Sequence, residues 1–197
     1  MLCPMVVSSL VSYTTTVSIT PVAGQTLYAH KDLTVVGGLV CRLLKLDSAD
    51  SAGETRSAEA ASTGRKIMGL WVYQLTGVSS ISASTWTIYY RAYKTDSTIE
   101  AHCDVDILVK MSDGTVRQNI ATDVANSGAL TTSWSTLSGT YSWADYTVVD
   151  ETDYLQINFR IEVTYKKANE YVNLRVDDNT LAVADQTRAA NVYLSSE

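Results

Sequence analysis

Basic residues are scarce in this chain: 15 Lys and Arg stand against 21 Asp and Glu, a formal net charge of -6 over 197 residues. A surface of that sign repels phosphate and offers no basic stripe, which argues against nucleic acid and anionic lipid as partners. Proline is nearly missing; Pro4 and Pro21 both precede the main body of the chain, so no later strand is interrupted. Cysteines are few, and Cys3, Cys41 and Cys103 form no CxxC pair and no zinc spacing with the two histidines, His30 and His102. Cys41 and Cys103 read either as one disulfide or as two buried thiols. A Gly-x-Ser-x-Gly elbow is also missing, so no nucleophilic triad is expected and the chain reads as not an enzyme, without catalytic residues, metal or other cofactor. The N-terminal MLCPMVVSSLV lacks the basic start of a signal peptide, and its apolar run is too short to cross a bilayer, so membrane insertion is not expected. A secreted form would have lost its leader. No Asn-x-Ser/Thr sequon occurs, which leaves O-linked sugars on the abundant Ser and Thr as the route to glycosylation.

What is present is alternation. Hydrophobic residues make up 46% and charged residues 18%, enough apolar material for a packed core, and Val, Ile, Thr and Tyr recur in extended runs that favour sheet. In Tyr154 to Tyr165, Leu155, Ile157, Phe159, Ile161, Val163 and Tyr165 share one face, while Gln156, Asn158, Arg160, Glu162 and Thr164 share the other. That pattern predicts a long strand with one buried and one wet face.

Leu10 to Thr20 alternates in the same way, and Pro21 with Ala23-Gly24-Gln25 sets it apart as an N-terminal extension covering residues 1–21. Two short strands are expected over Leu27–Val36 and Leu39–Leu46, then a long surface loop over Asp47–Arg65, which carries no large apolar residue. Lys66–Leu75 is apolar on both faces, as a covered strand should be. Thr85–Lys94 places Trp86, Ile88, Tyr90 and Ala92 inward and Tyr89, Arg91 and Tyr93 outward. Ile99–Met111 and Val116–Ala121 form a hairpin about an Asp113-Gly114 turn. Ser133–Trp143, Tyr146–Val149, Tyr171–Val176 and Ala190–Leu194 complete about ten strands with no amphipathic helix. The expected fold is all-β: a two-sheet antiparallel β-sandwich of jelly-roll type over residues 22–197, with the N-terminal extension strand before it.

The stretches SWSTLSGTYSW, DYLQINFRIEVT and VNLRVDDNTLAVADQTR resemble jelly-roll β-sandwich domains of prokaryotic, especially archaeal, extracellular proteins, over about residues 66–194. Within that group the chain is similar to fibre and pilus subunits in which one protomer's N-terminal strand completes the next, and to jelly-roll carbohydrate-binding modules. The resemblance implies an extracellular or cell-surface place and partners that are other copies of itself or glycans.

Two functional expectations follow. In the leading one, the chain is a structural subunit of a filament and donates Val11, Tyr13, Thr15, Val17 and Ile19 to a neighbour's groove; such head-to-tail donation does not close on itself. In the alternative, Tyr89, Arg91 and Tyr93 form a glycan-binding row, with rings about 13 Å apart stacking on successive sugars. A viral coat or appendage protein would share this fold. His102, Asp104 and Asp106 stand at alternate positions on one face, where a cation or paired-carboxylate chemistry competes with a plainer solvated face. Asp177-Asp178-Asn179 and the set Asp145, Asp150, Glu151 and Asp153 supply oxygen ligands of the kind calcium takes, beside the simpler role of turn residues.

Overall fold

A computed structural model describes residues 24–124 and 127–195. The expected N-terminal strand, with Val11, Tyr13, Thr15, Val17 and Ile19, lies outside the described residues. Fourteen strands follow one another: β1 (Gln25–Val36), β2 (Leu39–Lys45), β3 (Ala52–Glu59), β4 (Gly64–Gln74), β5 (Ser80–Ile81), β6 (Thr85–Lys94) and β7 (Glu100–Lys110). The remainder are β8 (Val116–Val124), β9 (Ser135–Ser142), β10 (Tyr146–Thr147), β11 (Tyr154–Tyr165), β12 (Tyr171–Asp178), β13 (Arg188–Val192) and β14 (Leu194–Ser195). A single turn of 3-10 helix, Val183–Asp185, is the one helical element among the described residues.

The protein is all-β, and its main sheet folds over on itself. One layer runs β3-β12-β6, with β9 on the other edge of β6 and β13 continuing the β12 side. The other runs β2-β4-β11-β7-β8. β1 joins them: its first residues pair with β13, its later ones with β2, and the register breaks between Ala29 and Leu33 where the strand leaves one layer for the other. The layers meet over large rings. Phe159 of β11 packs edge-on against Tyr90 of β6 across the sandwich, with centroids 5.6 Å apart, and against Trp71 of β4 at 5.2 Å. All three side chains are fully buried.

β11 is central, not lateral. β4 lies along one edge and β7 along the other over nearly its full length, both from the same chain. The inward row of Leu155, Ile157, Phe159, Ile161 and Val163 is buried as expected, whereas Tyr165 emerges at the strand end. The wet face is corrected: Gln156, Asn158 and Arg160 are buried too. Their cover comes in part from the β1–β2 hairpin, whose tip lies over the outside of this layer; Val36 and Cys41 form a second small apolar cluster with Val72, flanked by Leu70 and Tyr154. The tip is pinned where the Gly37 N–H donates to the Ser112 carbonyl at 3.1 Å. Gly37 has φ +56°, and a Cβ there would sit 2.0 Å from the Asp113 carbonyl oxygen, so only glycine fits.

Two further expectations change. Asp47–Arg65 is not one long loop: Ala52–Glu59 forms β3, an edge strand on β12, held by backbone pairing that needs no apolar side chain. Cys41 and Cys103 are free thiols buried in different clusters. Burial pushes the Cys103 thiol far above its ordinary range.

Candidate functional site

Alternation along β6 turns Trp86, Ile88, Tyr90 and Ala92 into the core and leaves Tyr89, Arg91 and Tyr93 on the outer face, as the sequence pattern predicts. The structure separates the roles of these three. Arg188 of β13 lies over the Tyr89 ring with its guanidinium carbon 3.8 Å from the centroid, so that face of Tyr89 is covered. Tyr93 pairs instead with Trp134, which stands just before β9; their centroids are 4.4 Å apart and the planes tilt by 55°. Arg91 lies between, donating from Nη1 to Thr136 Oγ1 at 3.3 Å, with Asp185 at 3.9 Å.

A depression of about 220 Å³ opens here, lined by Arg91, Trp134, Arg175, Asp178 and Leu181. Its polar wall is set in place. Arg175 Nε donates to Asp178 Oδ2 at 2.8 Å, Nη1 to Thr55 Oγ1 and Nη2 to the Ala52 carbonyl, each at 3.0 Å. Asp178 Oδ1 accepts from the Thr180 N–H and hydroxyl. The Asp178 carboxyl is partly desolvated, and the bonds from Thr180 and Arg175 outweigh that penalty and hold it below its ordinary value. It is therefore an acceptor of fixed orientation at neutral pH. The site offers an exposed indole, a guanidinium with unused donors and an ionised carboxylate around a small open hollow.

Trp134, Arg175 and Asp178 are the members that alternation along one strand could not supply. Trp134 precedes its strand, and Arg175 and Asp178 belong to β12, which pairs with β6 across a separation of about eighty residues. A tryptophan flanked by serines in SWS is the one available signal, since an indole without apolar neighbours has little core to join.

The acidic row on β7 is a different thing from what its spacing suggests. Asp104 is buried and meets Arg160 of β11 at 3.2 and 3.1 Å and Arg65 Nε at 3.2 Å; Asp106 meets Arg160 Nη1 at 2.7 Å. Asp123 contacts both arginines. Burial raises the Asp104 carboxyl, against the pull of Arg160 and Arg65. His102 turns to Glu162 at 3.0 Å. The row is a cross-strand ion network rather than a solvated face or a pair of free acids. Among the turn acids, Asp150 and Asp178 cap their own turns through Thr152 and Thr180, Asp145 accepts from the Ala83 N–H, and Asp153 is buried on Arg117.

Two hollows of about 470 Å³ exist elsewhere. One is lined by Gly77–Ser79 and Val148–Glu151, the other by Lys94, Glu100, His102 and Thr164 among others. Neither is lined by Trp, Tyr or Phe.

No family model matches the chain, and no curated protein matches it. Its fold is shared with solved structures. A CocE/NonD family hydrolase from Staphylococcus aureus superposes with a TM-score of 0.54 at 7% identity, over 87% of this chain and 36% of the hydrolase. An aminopeptidase from a marine sediment Thaumarchaeota archaeon gives a TM-score of 0.55 at 10% identity, over 88% of this chain and 37% of the aminopeptidase. The VP2 subviral particle of infectious bursal disease virus also matches, with a TM-score of 0.30 at 12% identity, over 85% and 42% of the two chains. The chain thus spans little more than a third of the two hydrolytic proteins, and at these identities the likeness is one of fold.

The hydrolase matches overturn the expectation that the chain is not an enzyme. That expectation rested on a missing nucleophile elbow and few histidines, which say nothing of the folds that hydrolytic proteins use. The same fold occurs in two of them. Pilus subunits and archaeal surface fibres do not figure among the matches described.

Proposed function

We propose that this chain is a β-sandwich binding unit that grips a saccharide, through the Tyr93–Trp134 pair and the polar wall of Arg91, Arg175 and Asp178. The observation that carries the reading is the indole of Trp134 beside two guanidiniums and a carboxylate of fixed orientation. A pyranose has one apolar face of C–H groups and an edge of hydroxyls. The face packs on an aromatic ring, and adjacent hydroxyls suit a guanidinium donor beside a carboxylate acceptor. The hollow is smaller than the roughly 300–1,000 Å³ of drug-sized pockets, which fits one sugar unit of a longer chain. An extracellular or cell-surface setting belongs to this proposal. So does a role in presenting substrate to hydrolytic machinery, in keeping with the fold's presence as little more than a third of longer hydrolase chains.

Immobilised glycans probed with the intact chain, Trp134→Ala and Arg91→Ala test it. A defined subset bound by the wild type and lost by both variants is the expected result. Equal signals from all three, or none from the wild type, would remove the reading.

Self-assembly is a second reading, with one observation in its favour. Leu33, Val35, Leu39 and Val40 of the β1–β2 hairpin are all about half exposed or more, and Val35 and Val40 are direct cross-strand partners. Both edges of β11 are filled from within the chain, so a donated strand would cover this hairpin and not complete β11. Its occupant would be residues 10–20 of a neighbouring copy: eleven residues reach about 36 Å in extended form, nearly the length of β1. Deleting residues 1–20 should abolish concentration-dependent association in sedimentation; association unchanged by the deletion would discard the idea.

A further inference from the structure

Away from the saccharide face, the register break in β1 brings His30 against the Asp47–Ser51 connection and the end of β12. The His30 ring is fully buried. Its Nε2 lies 2.9 Å from the Asp47 carbonyl oxygen, which can only accept, so Nε2 carries the proton. Nδ1 is then the coordinating nitrogen, and it has no hydrogen-bond partner among the described residues. Two carboxylates approach it, and a third lies close to one of them. Asp177 Oδ1 is 3.1 Å away and Asp50 Oδ1 3.7 Å away, and ligand atoms of His30, Asp32 and Asp50 all fall within 4.8 Å of one another. The Asp177 contact has the distance of an ion pair but lacks the direction of a hydrogen bond, which leaves a buried lone pair facing carboxylate oxygens.

We propose that His30 Nδ1, Asp50 and Asp32 bind a divalent first-row cation, with Asp177 beside the imidazole as an outer carboxylate. Ligand atoms at about 2.1 Å from a metal are separated by about 3 to 4 Å, and His30 Nδ1 and Asp50 Oδ1 stand 3.7 Å apart. One imidazole and two carboxylates suit Mn²⁺ or Zn²⁺ better than Ca²⁺. The outer partners are those a metal site requires. The Asp47 carbonyl fixes the His30 tautomer, and Asp177 is oriented by the Asp50 N–H at 3.1 Å and the Ser51 hydroxyl at 2.6 Å. The main chain of His30 is anchored to the core, its carbonyl accepting from Trp71 Nε1 at 2.8 Å. Lys45 now reaches Asp32 and Asp50 from the open side, the ammonium standing where part of the cation's charge would be. The ion would tie β1 to the Asp47–Ser51 connection.

The arrangement is not a Ser-His-Asp triad: Ser51 donates to the Asp177 carboxylate and His30 Nε2 faces a carbonyl, so no imidazole faces the hydroxyl.

Mn²⁺ added to the EDTA-treated full-length chain, followed by electron paramagnetic resonance and calorimetry, tests the site, with Zn²⁺ as competitor. One ion per chain is expected, with a raised thermal midpoint. Asp50→Asn and Asp32→Asn are exposed changes that leave the core intact, and each should weaken binding tenfold or more. Lys45→Met removes the competing ammonium and should tighten it. Absence of stoichiometric binding, or affinity unchanged in the two asparagine variants, would overturn the proposal. So would a His30 ring protonated at both nitrogens by ¹⁵N NMR in the presence of saturating Mn²⁺-free Zn²⁺. Saccharide binding is read separately, and neither result depends on the other.

Discussion

Tyr93 and Trp134 hold their rings 4.4 Å apart on the outer face of the sandwich, one from the middle of a sheet and the other from the approach to the neighbouring strand. Trp134 keeps 36% of its surface exposed and belongs to no core cluster. Trp134→Ala should therefore change the thermal midpoint by no more than about 2 °C, since substitutions outside the core stay within about 0.5 kcal/mol. Affinity for a bound saccharide should fall about tenfold or more, the loss of one aromatic stacking contact. Calorimetry and differential scanning on the same preparation separate the two effects.

The Gly37 contact predicts a stability change far from that face. Gly37→Ala places a methyl group on the Asp113 backbone and asks alanine to adopt φ +56°, so the hairpin tip must lift from the β7–β8 turn. A cost of about 1–3 kcal/mol is expected. Gly38→Ala is the control for turn strain, because a Cβ at Gly38 meets nothing within 4 Å. Urea denaturation should rank Gly37→Ala well below Gly38→Ala.

Acid should destabilise the fold in a defined window. The Lys167 ammonium and the Thr98 turn hold the Asp96 carboxyl well below the usual carboxylate range, and turn bonds lower Asp113 and Asp150 in the same way. Each is charged in the folded state at pH values where the unfolded chain has begun to take up protons. Their stabilisation is thus present above the unfolded value of 3.8 and is lost as pH falls through the lowered folded values. Asp104 acts in the opposite sense, because burial raises it and its contribution fades as pH rises. Chemical denaturation between pH 6 and pH 2 should show stability declining below about pH 4. Asp96→Asn should make that decline shallower.

Thiol chemistry gives a check on the core. Cys41 and Cys103 are buried, and burial raises both thiols, so neither presents a thiolate at neutral pH. Mass spectrometry after iodoacetamide treatment should find both unmodified in the native protein and both alkylated in denaturant. A Cys41–Cys103 linked peptide would contradict the arrangement.

Period-two alternation made much of this fold legible. It assigned the inward face of β6, and of β11 as far as Val163, residue by residue, because a half-buried strand writes its environment in every second side chain. It failed where the environment is not local. Gln156, Asn158 and Arg160 look like a wet face, yet a hairpin more than a hundred residues earlier and an ion network from β7 and β8 cover them. β3 was invisible for the converse reason: an edge strand held by backbone bonds needs no apolar residue, and AGETRSAE has none of any size. The saccharide face was half legible. Tyr93 and Arg91 follow from alternation, whereas Trp134, Arg175 and Asp178 reach the hollow through pairings distant in sequence.

The most direct test of the binding face is the indole N–H region of a ¹H–¹⁵N spectrum, to which each of the chain's four tryptophans contributes one signal. Trp71 and Trp86 are wholly buried, and Trp134→Phe identifies the Trp134 peak by its loss. Titration with a panel of methyl glycosides and short oligosaccharides should move the Trp134 peak saturably for at least one sugar while those of Trp71 and Trp86 stay in place. A Trp134 peak that no member of the panel moves would contradict the account.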